Sequence, residues 1–241
     1  MSSLKNVFIN GASRGIGAEI VRLLTTSGYS VAFSYKSSSG QAEALAAETG
    51  ALAICADTAS AEDVRRALTV ARRTLGSIDV LINNAAISVI KLYTDVSEAE
   101  WQTMLDVNLN GPMRYIKEVL PDMISAKSGK IVNISSMWGL VGASCEVHYS
   151  TTKAALIGLT RSLAKELGPS GITVNAIAPG VIKTEMNASL SEEALEELRM
   201  QTPLMRLGKP LDVAKAVLYL LSDAGDFVTG QVLSVDGGIV M

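Results

Sequence analysis

Seven short apolar runs, rich in valine and isoleucine, recur along this chain at intervals that mostly leave room for a helix between them. They are LKNVFI (4–9), YSVAFSY (29–35), ALAICA (51–56), IDVLIN (78–83), KIVNIS (130–135), ITVNAIA (172–178) and QVLSV (231–235). A strand wetted on one face alternates apolar and polar residues. These runs are apolar at nearly every position, the mark of strands covered on both sides. Helical periodicity fills the stretches near 15–27, 39–49, 60–75, 97–127, 148–168 and 210–223. Right-handed strand–helix–strand crossovers then lead to α/β architecture: a Rossmann-type doubly wound, seven-stranded parallel sheet with helices on both faces.

The boundaries carry their own signals. Ser97 and Glu100 have the spacing of a capping box, in which the serine accepts an early helical amide and the glutamate reaches back. Gly28, Gly76 and Gly168 fall where helices should stop. The stretch from about 183 to 210 has no strand of its own and carries a charged amphipathic segment at 191–201. It is expected to form a lid-like helical excursion over a substrate, or a surface helix without a gating role. No linker or repeat breaks the pattern, so a single domain is expected over 1–241.

With 48% hydrophobic and 19% charged residues, the chain has the balance of a globular domain. A net charge of -3 argues against nucleic acid as a partner, because phosphate binding needs a basic face. No run approaches the roughly 18 apolar residues of a membrane span. The first strand leads directly into a polar turn at Asn10-Gly11 instead of a signal-peptide cleavage region, so a cytoplasmic protein is expected. Cys55 and Cys145 are far apart and His148 is the only histidine, so two reduced cysteines and no metal are expected.

Strand one ends in Asn10-Gly11-Ala12-Ser13-Arg14-Gly15-Ile16-Gly17, and a helix starts at once. Gly11 suits a sharp turn, Gly15 leaves space where a pyrophosphate would approach, and Gly17 lets helix and strand pack closely. With Ser13, Arg14 and Ile16 they form a candidate phosphate cradle at the positive end of a helix dipole, the mark of a dinucleotide-binding domain. Sheets that select NAD place an acid at the end of strand two. This chain has Tyr35-Lys36-Ser37 there and no acid before Glu43. Arg14 and Lys36 are expected to pair with a 2'-phosphate, which makes NADP(H) the expected cofactor.

The glycine spacing, Asn83-Asn84-Ala85-Ala86, Ser136, Tyr149-Ser150-Thr151-Thr152-Lys153, Pro179-Gly180, Thr229-Gly230-Gln231 and Asp236-Gly237-Gly238 together resemble the short-chain dehydrogenase/reductase family over essentially the whole chain. Asn10 stands where threonine is usual, and Ala86 where glycine is usual. The resemblance implies that Lys153 also binds the nicotinamide ribose and that Asn108 supports a proton-relay water. It further implies Asp57 near adenine, Asn84 and Ala85 at the adenosine ribose, Ile182 and Thr184 at the carboxamide, and Pro179 and Gly180 in the same cofactor site. A homotetramer is implied too, with helices near 97–127 and 148–168 at one interface and the C-terminal strand at another.

The same chemistry follows from the residues. Tyr149 and Lys153 are i and i+4, on one face of a helix. A nearby ammonium favours phenolate, so Lys153 is expected to lower the Tyr149 pKa. Tyr149 would then give a proton to a carbonyl oxygen, or take one from an alcohol. Ser136 is expected to hold the substrate oxygen beside the phenol. His148, one helical position from Tyr149, points elsewhere and is expected to line the site or serve structure.

Within the family, GASRGIG, KAALIGLTRSLAKELGPSGITVNAIAPGVIKTEM and TGQVLSVDGG look like bacterial 3-oxoacyl-(acyl-carrier-protein) reductases. That implies reduction of a 3-oxoacyl thioester in fatty acid biosynthesis, with an acyl carrier protein as candidate partner. Carrier-binding members place a basic residue where this chain has Ser170, and Lys127 and Lys130 either substitute for it or are solvated. Ser135-Ser136-Met137-Trp138-Gly139 and Gly142-Ala143-Ser144-Cys145-Glu146-Val147 look instead like reductases of 5-aminopentanone-modified elongation factor P. In that loop Trp138 is a pocket wall or a packing residue, and Glu146 a partner for an amine or an exposed cap. A non-catalytic NADP(H)-sensing or scaffold protein is the alternative from another class, against which the intact Ser136, Tyr149 and Lys153 speak.

Overall fold

All seven apolar runs form strands, with ends shifted by about a residue or two from their sequence limits. The computed structural model describes residues 5–185 and 191–240. In it, β1 (Asn6–Asn10), β2 (Ser30–Tyr35), β3 (Leu52–Cys55), β4 (Val80–Asn83), β5 (Gly129–Ile134), β6 (Ile172–Pro179) and β7 (Val232–Val235) make one sheet. Their order is β3-β2-β1-β4-β5-β6-β7, every pair parallel. β4 and β5 are buried at every position, as their unbroken apolar runs require.

The helices are α1 (Gly15–Thr26), α2 (Ser39–Thr49), α3 (Ala61–Leu75), α4 (Glu98–Leu105), α5 (Gly111–Ala126), α6 (Trp138–Val141), α7 (Val147–Leu167), α8 (Glu192–Gln201) and α9 (Pro210–Leu221). Two apolar cores sandwich the sheet. Ile20, Val21 and Leu24 of α1 join Val213, Val217 and Leu220 of α9 on one face. Val64 and Leu68 of α3, Tyr115 and Val119 of α5 and Leu167 of α7 fill the other. Each such fully buried side chain contributes about 1.5–3 kcal/mol relative to exposure. Among the described residues no helix is long and apolar enough to cross a membrane.

Three details correct the sequence reading and two others agree with it. The single helix expected over 97–127 is interrupted at Asp106–Asn110 by a π-turn, where the Gly111 amide reaches the Asp106 carbonyl. Ser97 and Glu100 do form the capping box. Gly28 and Gly76 take left-handed φ, but Gly168 stays helical at φ -51, and Gly171 makes the left-handed stop after a short 3-10 turn. The excursion carries α8 as expected; its base is pinned by a bridge between Ile182 and Gly208, and 186–190 lie outside the described residues.

The third correction is Lys130, which neither substitutes for a carrier-binding residue nor is solvated. It is 5% exposed, and its Nζ donates to the carbonyls of Leu220, Leu221 and Ser222 and to Asp226 Oδ1 at 2.6 Å. Its charge satisfies the open carbonyls at the end of α9, where the helix dipole is negative.

Candidate active site

Strand order reverses between β1 and β4, and parallel strands bring their carboxyl ends to one edge. The crevice at such a reversal is where an open α/β sheet binds ligand. Here the turn after β1 is held by β4. Asn10 Oδ1 accepts the amides of Asn84 and Ala85 at 2.8 and 2.7 Å, and Asn84 Nδ2 donates to the Gly11 carbonyl at 2.6 Å. The asparagine at position 10 thus ties two loops together. The Asn84 side chain, expected at a ribose, is committed to the turn.

The turn itself fits a phosphate. Gly11 and Gly15 have φ of +65° and +56°, a region that favours glycine. A Cβ on Gly11 would lie 2.6 Å from Ala85 Cα, and one on Gly17 2.6 Å from Ala12 Cα. Arg14 is the N-cap of α1 without a side-chain capping bond, and the first turn holds no acid. Its amides and the helix dipole are therefore available to an anion. Ser13 is half-buried in the same turn, and Thr184 Cγ2 stands 3.5 Å from where a Gly15 Cβ would be.

A chain of buried amides runs beneath the crevice. Asn10 Nδ2 donates to Asn83 Oδ1 at 2.7 Å, Asn83 Nδ2 to Asn133 Oδ1 at 2.9 Å, and Asn133 Nδ2 to Thr160 Oγ1 at 2.9 Å. The sequence reading missed this device. Its signal was present: asparagines near the ends of three apolar runs, which the strand register sets side by side. Each member is satisfied by the next, so breaking one leaves a buried polar group unpaired.

At the β2 end, both expected phosphate-binding cations already have partners. Lys36 Nζ lies 2.7 Å from Asp57 Oδ2, and Arg14 Nη1 lies 2.8 Å from Glu185 Oε2. Asp57 Oδ1 also accepts the Ala59 amide at 2.9 Å. Ile182 is buried at the base of the excursion, and Pro179 and Gly180 close β6, with Gly180 N donating to the Val235 carbonyl.

At the β5 end, Ser136 is 8% exposed, Tyr149 8% and Lys153 2%. Lys153 Nζ donates to the Ile134 carbonyl at 2.8 Å and sits 5.6 Å from the Tyr149 ring centroid. The expected acidification of the phenol is not what this geometry produces. Burial pushes Tyr149 up to about 12; the Ser136 hydroxyl lowers it, and the Glu146 charge raises it further. Burial likewise pushes Lys153 down to about 7. Spacing along a helix predicts proximity, but loss of water acts on both groups and favours the neutral form of each. Near neutral pH the phenol is a loaded proton donor.

The neighbouring residues surround this pair. Asn108 is fully buried; its Nδ2 donates to Ile87 O and Thr152 Oγ1, and its Oδ1 accepts Ile87 N. Its side chain anchors the segment after β4, and the π-turn around it loosens the regular i→i+4 backbone pairing. His148 is 2% exposed, its Nδ1 meets no partner among the described residues, and the residue lines a cavity of about 220 Å³ with Ile87, Val89 and Met104. Trp138 is half-buried at the start of α6, and its amide donates to Ser136 Oγ at 3.2 Å. Glu146 is the N-cap residue of α7, as one reading expected, but it is half-buried and makes no side-chain cap bond: Ser88 Oγ donates to its Oε1 at 2.6 Å.

A family model described as enoyl-(acyl carrier protein) reductase matches residues 11–240. The chain is a short-chain dehydrogenase/reductase. This short-chain dehydrogenase/reductase is 42% identical over 246 residues to the 3-oxoacyl-[acyl-carrier-protein] reductase of Staphylococcus aureus, covering 100% of both chains. Among solved structures it is similar to the 3-oxoacyl-[acyl-carrier protein] reductase of Brucella melitensis, with a TM-score of 0.93, 35% identity, and 98% and 91% of the two chains covered. A blue fluorescent protein from a metagenomic library, solved in complex with NADPH, is similar at a TM-score of 0.91 and 37% identity over 98% of each chain.

Proposed function

We propose that this short-chain dehydrogenase/reductase is an NADP(H)-dependent carbonyl reductase that converts a 3-oxoacyl thioester, carried by acyl carrier protein or coenzyme A, to the 3-hydroxyacyl thioester. The observation that carries the reading is the buried group of Ser136, Tyr149 and Lys153 on the same sheet edge as a glycine cradle built for phosphate. Full-length relatives named as 3-oxoacyl reductases support the substrate class. We read 1–241 as one cytoplasmic dinucleotide-binding domain, with the excursion at about 183–210 as a lid.

Gly11, Ser13, Gly15, Ile16 and Gly17 would hold the pyrophosphate, Arg14 and Lys36 the 2'-phosphate, Asp57 the adenine side and Ala85 the adenosine ribose. Lys153 would hold the nicotinamide ribose, and Pro179, Gly180, Ile182 and Thr184 the carboxamide end. When bound, NADPH supplies the hydride that adds to the carbonyl carbon. Tyr149 gives its phenolic proton to the carbonyl oxygen, which becomes the hydroxyl. Ser136 holds that oxygen, Trp138 walls the pocket, and Lys153 and Asn108 connect the phenol to its proton supply. In the reverse direction Tyr149 takes the alcohol proton.

A second reading, reduction of 5-aminopentanone-modified elongation factor P, is favoured by Glu146, a half-buried carboxylate close enough to act on the Tyr149 pKa. NADPH oxidation measured side by side on acetoacetyl thioesters, simple ketones and the modified elongation factor separates the readings. Turnover of the thioester is expected; turnover confined to the modified factor overturns the first reading in favour of the second. We further infer a homotetramer. Exposed Met113 and Ile124 on α5, and exposed Tyr219 and Phe227 near the β7 edge, give two apolar faces to cover. Light scattering that reports a stable monomer rejects it.

A further inference from the structure

A carboxylate stands between the two helix ends that frame the expected 2'-phosphate position. Glu185 Oε2 pairs with Arg14 Nη1 at 2.8 Å, and Glu185 Oε1 accepts Gln41 Nε2 at 3.1 Å. Arg14 caps α1 and Gln41 lies in the first turn of α2, so one acid spans the N-termini of both helices beside the end of β2. Sequence reasoning placed no acid there, because Glu185 is remote in the chain and arrives only when the segment after β6 folds back.

We propose that Glu185 is a cofactor-selectivity residue that limits the preference for NADP(H) over NAD(H). The inference rests on the reading that Arg14 meets the 2'-phosphate. In the free protein the Glu185 carboxylate occupies the Arg14 guanidinium, and a 2'-phosphate must displace it. The side chains of the pair are 58% and 54% exposed, so water screens it and a phosphate dianion competes effectively. The displaced carboxylate cannot drift far. Gly208 N donates to the Val181 carbonyl and Lys183 N to the Gly208 carbonyl, both at 2.9 Å, which fixes the backbone just before Glu185. A like charge thus stays near the phosphate. A cofactor with a free 2'-hydroxyl brings no charge to this place and escapes the penalty.

The test is calorimetric binding of 2'-phospho-ADP-ribose and of ADP-ribose to wild type, Glu185→Gln, Arg14→Gln and the double variant, with melting temperatures to check folding. Glu185→Gln should bind the phosphorylated ligand about fivefold more tightly and ADP-ribose unchanged. The gain should shrink as salt is raised, and in the Arg14→Gln background it should fall to the part that comes from like-charge repulsion alone. Unchanged or weaker binding of the phosphorylated ligand by Glu185→Gln, or an equal gain for both ligands, overturns the proposal. If Arg14→Gln leaves binding of the phosphorylated ligand intact, the reading of Arg14 falls and takes the proposal with it.

Discussion

Lys153 and Lys36 both sit on the carboxyl edge of the sheet, one at each end of the crevice. Lys153 is 2% exposed, and its Nζ donates to the Ile134 carbonyl. The Lys36 side chain is 68% exposed and paired with Asp57. Burial moves the first to about 7, whereas the second keeps its water and its counter-ion. The contrast divides the labour of the site. At the β5 end, loss of water sets which proton is held and which is released. At the β2 end, exposed charges choose among ligands, and salt screens that choice.

The division is broken most directly at Tyr149. Tyr149→Phe should lower carbonyl-reductase turnover by about 10²–10⁴ while NADPH affinity, measured by fluorescence titration, stays the same. A parallel loss of cofactor affinity would mean that the two ends are not separable.

The next largest effect is expected in stability. Between about 7 and 10.5 the unfolded chain holds a proton on Lys153 that the folded chain has released, so stability rises with pH through that window. The folded state bears the full penalty below it. Lys153→Met should therefore raise ligand-free stability near neutral pH by about 2 kcal/mol, after counting the bond lost by the Ile134 carbonyl. The gain should fade as pH climbs toward 10.5, as followed by thermal melts.

Arg14→Gln with Lys36→Gln should cut the preference for NADPH over NADH by about tenfold at low salt, read as a ratio of kcat/KM values, and leave kcat unmoved. The smallest effect is the sharpest control. Lys36→Met removes an exposed pair and should shift stability by less than about 1 kcal/mol, as followed by thermal melts.

The strand pattern was legible because burial on both faces writes itself into consecutive residues, as in β4 and β5. The cradle was legible for the same kind of reason, since Gly11, Gly15 and Gly17 are local requirements of one turn. What escaped depended on partners distant in sequence. Lys130 reads as a carrier-binding or a solvated lysine until α9 delivers its carbonyls from some ninety positions away. Glu185 reads as part of a charged excursion until it reaches Arg14. The π-turn at Asp106–Asn110 leaves the periodicity of a helix almost unchanged. Tyr149 shows the limit best: its spacing to Lys153 was readable, but the depth of burial that sets its pKa is a property of the assembled sheet and helices.

That depth is open to direct measurement. Ultraviolet difference titration of the ligand-free protein, wild type against Tyr149→Phe, isolates one phenol from the other five tyrosines of the chain. A phenol pushed up to about 12 should contribute no phenolate signal at the pH where ordinary tyrosines, near 10, are half ionised. A difference signal with its midpoint at or below 10 would contradict the account, because burial would then not be what keeps the reacting proton on Tyr149.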